Sequence, residues 1–232
     1  MKKELKIATP EEALNKFLIW FDTNKKIAFI VALVVGLIAH INMITGTIMS
    51  QDGLWNSMEY ARPGDWEISL GRWGIEIVER ITQFIAIPSI NTILCILVMA
   101  VTAVFLVDLL NLKSKVSVIF TSLALVLTPT LVATLLYIYT AFAYCFNLLI
   151  SVLVIWFLYK FKHKKTGFVL ASLCFMFALS IYQSYVGVSI GLCIMISIID
   201  LLKNKNIKEV FINIGKTIAV VLLGAFITLQ HK

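Results

Sequence analysis

The sequence predicts an all-α integral membrane protein with about seven transmembrane helices and an amphipathic helix in its first outer loop. Three observations carry this. Apolar residues make up 60% of the 232 residues, and the mean hydropathy is +0.93. The charges gather in short clusters separated by long uncharged runs. Several of those runs reach the roughly 20 residues that a helix needs to cross a hydrocarbon core about 30 Å thick. Open sheet is excluded in that solvent, because lipid leaves unpaired backbone groups unsatisfied.

Residues 1–26 form a cytoplasmic N-terminal segment. They are too long and polar to be a cleavable signal peptide, and no small-residue cleavage site follows the first apolar run, so the first span is expected to stay in the protein. Thr9-Pro10-Glu11-Glu12 is a helix start, with Thr9 as N-cap, Pro10 in the first turn and Glu12 closing a capping box. Phe17, Trp20 and Phe21 follow at helical spacing. Both an amphipathic helix on the cytoplasmic surface and an ordinary juxtamembrane stub fit this pattern.

The polytopic domain covers 27–230, with spans expected at about 27–49, 84–107, 116–137, 141–159, 167–183, 186–202 and 210–230. Lys25 and Lys26 precede the first span and Lys113 and Lys115 follow the second, which places residues 50–83 outside as one loop. Between Lys115 and Lys160 lie 44 uncharged residues, about 66 Å of helix at 1.5 Å per residue, enough for two crossings. The turn between them is expected near Tyr137–Tyr144. The uncharged run from Thr166 to Ile199 is read in the same way, with its turn at Tyr182-Gln183-Ser184-Tyr185-Val186-Gly187, the most polar patch in it. In the last span Lys216 is expected to snorkel towards the cytoplasm.

The formal net charge of +7 does not point to nucleic acid, because the lysines flank apolar spans and there set topology; the bilayer is the expected partner. Cys95, Cys145, Cys174 and Cys193 fall inside apolar runs without CxxC spacing and read as small core residues, not as a disulfide framework or zinc site. No cofactor is expected, although a divalent metal stays open.

The three arginines, Arg62, Arg72 and Arg80, all lie in the outer loop, together with six acids and three of the five tryptophans. A guanidinium grips phosphate or carboxylate in bidentate fashion, which lysine does not, so arginine outside has a possible binding role. From Trp66 onward Leu70, Trp73, Ile77 and Ile81 recur at helical spacing, predicting one amphipathic helix on the outer leaflet. Arg72 and Glu76 share its other face four residues apart, the spacing of a surface ion pair as well as of a site.

Asp52 stands just past the first span, followed by Gly53, which lets a substrate approach the backbone. It is the candidate general base. Glycosyl transfer outside the cell uses lipid-linked sugar phosphates. Phosphate leaves with little protonation, so one carboxylate that deprotonates the acceptor hydroxyl suffices, whereas hydrolytic glycosidases typically need two. Arginines would stabilise the phosphate, and tryptophans such as Trp55 and Trp73 would offer apolar faces. Glu59 belongs to the same loop. His40 and Asn42, near the outer end of the first span, line a cavity beneath Asp52 or make an interhelical hydrogen bond. Tyr182 and Gln183 either contribute to the site or form an interfacial turn. The bland alternative for the whole loop is a set of solvated or mutually paired charges with interfacial tryptophans.

Ser50-Gln51-Asp52-Gly53 after the first span, then Ser69-Leu70-Gly71-Arg72-Trp73, then Ser180-Ile181-Tyr182-Gln183-Ser184-Tyr185 in a later apolar run, together resemble the serotype-converting, Gtr-type membrane glucosyltransferases of the GT-C class. The resemblance implies a GT-C-like fold. It also implies transfer of glucose or a related hexose from a polyprenyl-phosphate sugar donor to a cell-surface glycan acceptor at the outer face of the plasma membrane. Asp52 would be the first-loop catalytic acid of that class, and Arg72 a ligand of the donor phosphate. Two departures stand out. Many of these enzymes carry paired acids where this chain has Gln51 before Asp52. Family members are also much longer, so the resemblance implies a truncated chain. Two rival functions remain: a non-enzymatic transporter or flippase for lipid-linked sugars, whose polar groups belong at mid-membrane, and a structural subunit of a glycan-assembly complex.

Overall fold

A computed structural model describes residues 9–46, 48, 50–55, 65–84, 87–161 and 164–230, with the backbone alone for Trp55, Asp65, Trp66, Ile227, Leu229 and Gln230. The described chain is helical, and no strand occurs among those residues. Its helices are α1 (Pro10–Trp20), α2 (Thr23–Ala39), α3 (Ile41–Thr45), α4 (Gln51–Trp55), α5 (Asp65–Ser69), α6 (Trp73–Glu79) and α7 (Pro88–Leu110). They continue with α8 (Lys115–Val126), α9 (Pro129–Leu136), α10 (Ile138–Lys160), α11 (Lys164–Ile181), α12 (Val186–Leu202) and α13 (Ile207–Gln230). Among the described residues, six stretches are long and apolar enough to cross a membrane: Pro88–Leu110, Lys115–Leu136, Ile138–Lys160, Lys164–Ile181, Gln183–Leu202 and Ile207–Phe226. The run expected to be the first span is divided between α2, of 17 residues, and α3, with a kink at His40.

The capping box of α1 forms as the sequence predicts. Thr9 Oγ1 accepts from the Glu12 amide at 3.2 Å, and Glu12 Oε2 accepts from the Thr9 amide at 3.3 Å. No residue of α1 is buried, and Leu14, Phe17 and Leu18 are exposed, which suits a helix lying on a lipid surface. In α2, Ala28, Ala32 and Gly36 recur every fourth residue and are all buried. This stripe of small residues lets α2 press against α7 and α8: a Cβ on Gly36 would lie 2.8 Å from Ile96 Cγ2. Close backbone approach of this kind replaces the hydrophobic driving force that lipid does not supply.

α10 is the central helix and packs on α7, α11 and α12. One apolar core joins it to α2, α7 and α8 through Ala100, Met99, Val118 and Phe142; a second joins it to α11, α12 and α13 through Ile155, Phe175, Leu192 and Val220. At the lysine-rich end Lys25, read from the sequence as a topology signal, is in fact buried. Its ammonium lies 2.9 Å from Asp22 and 3.0 Å from Asp108, and Asp108 also accepts from the Trp156 indole at 2.7 Å. A buried charge persists only when paired in this way.

The stretch expected as one span at 116–137 breaks at Thr128-Pro129, between α8 and α9. Proline has no amide hydrogen and clashes with the preceding turn, so it starts α9 instead of continuing α8. The break leaves carbonyls at the end of α8 without their helical partners. His40 supplies one replacement: its Nε2 donates to the Val126 carbonyl at 2.8 Å. The kink in α2 and the break after α8 are thus joined by a single hydrogen bond.

Candidate functional site

The helix expected from Trp66 through Ile81 is interrupted at Gly71. This residue takes φ 79°, a left-handed conformation that glycine adopts without a Cβ penalty. The Gly71 amide donates to Ile68 and the Arg72 amide to Glu67, closing α5 and turning the chain into α6. The turn rotates α6 so that Gly74, Ile75, Val78 and Glu79 are buried against α10 and α11, while Ile77 and Ile81 stay exposed. Gly74 permits this docking, because a Cβ there would land on Ser180 Oγ and 3.0 Å from the Ser180 carbonyl carbon.

The turn at 182–185 meets this loop. The Arg72 guanidinium lies over the Tyr182 ring, 4.6 Å from its centroid. Its Nε donates to Gln183 Oε1 at 3.4 Å, and Gln183 Nε2 donates to the Leu70 carbonyl at 3.3 Å. From below, Asn147 Nδ2 donates to the Tyr182 carbonyl at 3.1 Å. Glu76 pairs with Arg80 at 2.7 Å, and among the described residues Arg72 has no ion-pair partner.

Beneath this contact lies a cavity of about 420 Å³. It opens between α9, α10 and the start of α12, and Tyr137, Tyr144, Tyr182 and Tyr185 line it above Met99, Leu131 and Leu148. Tyr144 and Tyr182 face each other at 5.0 Å. The walls are chiefly apolar in surface, with the hydroxyls of the tyrosines, Thr128, Thr130, Thr134 and Ser184 set among them, the make-up of a site for an amphiphile.

Asp52 is exposed on α4. The Ser50 amide donates to the Leu136 carbonyl at 3.0 Å, and the Gly53 amide to Ser50 Oγ at 3.1 Å. These bonds pin α4 beside the end of α9, next to Tyr137.

The remaining sequence candidates are spread more widely. Trp73 begins α6 with its ring 6.1 Å from Phe177, and its indole nitrogen is buried without a partner among the described residues. His40 is buried in its bond to Val126 and does not line the cavity. Glu59 and Arg62 lie outside the described residues, as does the side chain of Trp55.

Sequence reasoning missed Glu79. It is 2% exposed and accepts from the Ala143 amide and from Thr82 Oγ1, each at 3.1 Å. Burial pushes its carboxyl up to about 7, against the lowering effect of those two hydrogen bonds. The one available signal was its spacing of four from Ile75, which puts both on the face that α6 turns towards α10.

The family described as Glucosyl transferase GtrII matches residues 56–229. The chain belongs to this family. A GtrII member is a glycosyltransferase, and six membrane-length apolar helices make this one a multi-pass membrane protein that works on a sugar donor and a glycan acceptor. Both segments that meet at Arg72, 69–73 and 180–185, fall inside the matched stretch, and Asp52 stands four residues ahead of it. No curated protein and no solved structure matches the chain.

Proposed function

We propose that this GtrII member transfers a glucosyl or related hexosyl group from a polyprenyl-phosphate donor to a cell-surface glycan at the outer face of the plasma membrane. The N-terminus is then cytoplasmic. The observation that carries the reading is Arg72 stacked on Tyr182 at the rim of the tyrosine-lined cavity. A guanidinium beside an apolar crevice matches a phosphate ester joined to an isoprenoid chain. The crevice takes the first isoprene units and Arg72 takes the phosphate, with Gln183 and Tyr182 orienting the guanidinium and Trp73 beside it. Trp55, Glu59 and Arg62 belong to the same loop and are assigned to the sugar and acceptor.

Asp52 takes the acceptor hydroxyl proton as the acceptor oxygen bonds to the anomeric carbon. The bond from that carbon to the phosphate oxygen breaks, its electron pair leaves with the polyprenyl phosphate, and Arg72 stabilises the resulting charge. Attack opposite the leaving group inverts the anomeric centre. Loss of a positioned general base typically costs about 10²- to 10⁴-fold. Asp52→Asn, reconstituted in vesicles with radiolabelled polyprenyl-phosphate-glucose and acceptor glycan, should therefore incorporate sugar at least about 100-fold more slowly while inserting normally. Wild-type incorporation by that variant removes Asp52 from the mechanism.

A further inference from the structure

At the lysine-rich end a groove of about 390 Å³ runs between α10, α11 and α13, lined by Leu158, Lys164, Lys165, Phe168, Val169 and Lys216. Lys216 lies nine residues past the start of α13, roughly 14 Å along the helix axis. It is half-buried and lines the same groove as the two lysines that open α11. Among the described residues the lining contains no acid, and none of the three lysines has an ion-pair partner. Lys164 and Lys165 also occupy the first turn of α11, where the helix dipole disfavours cations. Three lysines lining one groove with apolar walls, two of them against a helix dipole and none with a counter-charge among the described residues, make an arrangement that an anion stabilises.

We infer that this groove binds the phosphate of an acidic phospholipid, with Lys164, Lys165 and Lys216 around the headgroup and the acyl chains along Leu158, Phe168 and Val169. Val169 is 56% exposed and opens the groove sideways to lipid. Charge complementarity selects an anion. The apolar floor selects one carried on hydrocarbon, since a free phosphate would leave that floor uncovered. The site stands apart from Arg72 and the tyrosine-lined cavity, so it does not depend on the donor assignment.

The test uses the full chain in nanodiscs of phosphatidylcholine with one-fifth phosphatidylglycerol, and counts co-purifying lipids by native mass spectrometry. Wild-type protein should retain one phosphatidylglycerol in strong preference to phosphatidylcholine. Each of Lys216→Gln, Lys164→Gln and Lys165→Gln should lower that preference roughly fivefold, and Lys26→Gln should leave it unchanged. Lys164 and Lys165 are exposed, so their variants fold even if Lys216→Gln does not. Equal retention of both lipids, wild-type retention in the two α11 variants, or displacement of the lipid by millimolar inorganic phosphate overturns the proposal.

Discussion

The guanidinium of Arg72 rests 4.6 Å above the ring of Tyr182, joining the 65–79 segment to a turn more than a hundred residues later. The stacking needs a planar cation and an aromatic face, which gives a graded expectation. Arg72→Lys keeps the charge but loses the stacked plane and the Nε bond to Gln183, and should lower kcat/KM for the polyprenyl-phosphate donor about tenfold or more. Tyr182→Phe preserves the face and should stay close to wild type, whereas Tyr182→Leu should lose roughly three- to thirtyfold, the worth of a partly desolvated cation–π contact. Steady-state transfer at varied donor concentration separates these cases.

Gly74→Ala places a methyl group on Ser180. Because the backbone of Ser180 is also only 3.0 Å from that methyl, a side-chain rotation does not relieve the clash and α6 has to move. The expected cost is about 1–3 kcal/mol. It should appear as a lower Tm in thiol-reactive dye unfolding, which reads exposure of the buried Cys95, Cys145 and Cys193. Transfer activity should fall with it, since Arg72 sits two residues before Gly74.

Glu79 links stability to pH. Its carboxyl is raised from the ordinary 4.5 to about 7, so the folded protein holds this proton more tightly than the unfolded chain does. The associated stability is fully present below about pH 4.5 and is lost as pH rises towards about 7. The displacement corresponds to roughly 3 kcal/mol at most. Wild-type Tm should therefore decline across that window and level off above it. Glu79→Gln, whose side-chain carbonyl still accepts from Ala143, should flatten the profile and raise Tm at pH 8. An unchanged slope in the variant assigns the pH dependence elsewhere.

His40→Leu leaves the Val126 carbonyl without its donor at the break between α8 and α9. An unsatisfied buried carbonyl costs about 1–3 kcal/mol. His40→Gln offers a replacement donor and should recover part of the loss. Unfolding of the two variants side by side in one detergent measures the difference.

The sequence revealed the helices well and their interruptions poorly. Lysine clusters and uncharged runs locate helical segments because lipid solvation acts on every residue of a span. A break acts through one residue, and averaged hydropathy does not register it. Pro129 stands in plain view inside an apolar run, yet its effect depends on whether a partner such as His40 takes up the freed carbonyl. Arg72, Tyr182 and Gln183 were individually legible as candidates. Their contact was not, since periodicity assumes an unbroken helix and therefore offers Glu76 as the partner of Arg72. Gly71 ends that helix and Arg80 takes Glu76. Glu79 was harder still: its burial is created by the docking of α6 on α10, a tertiary event without a trace in local composition.

Gln183 grips the Leu70 carbonyl across 113 residues of chain, and this separation sets an order of assembly. Synthesis delivers the 65–79 segment long before α11 and the turn that follows it exist. Until then Leu70, Arg72 and Gly74 lack the partners against which they settle, namely Gln183, Tyr182 and Ser180. A nascent chain halted before Tyr182 would carry Arg72 without the ring on which it stacks and Leu70 without the amide that grips its carbonyl. The contact therefore arrives late in biogenesis, together with the turn at 182–185.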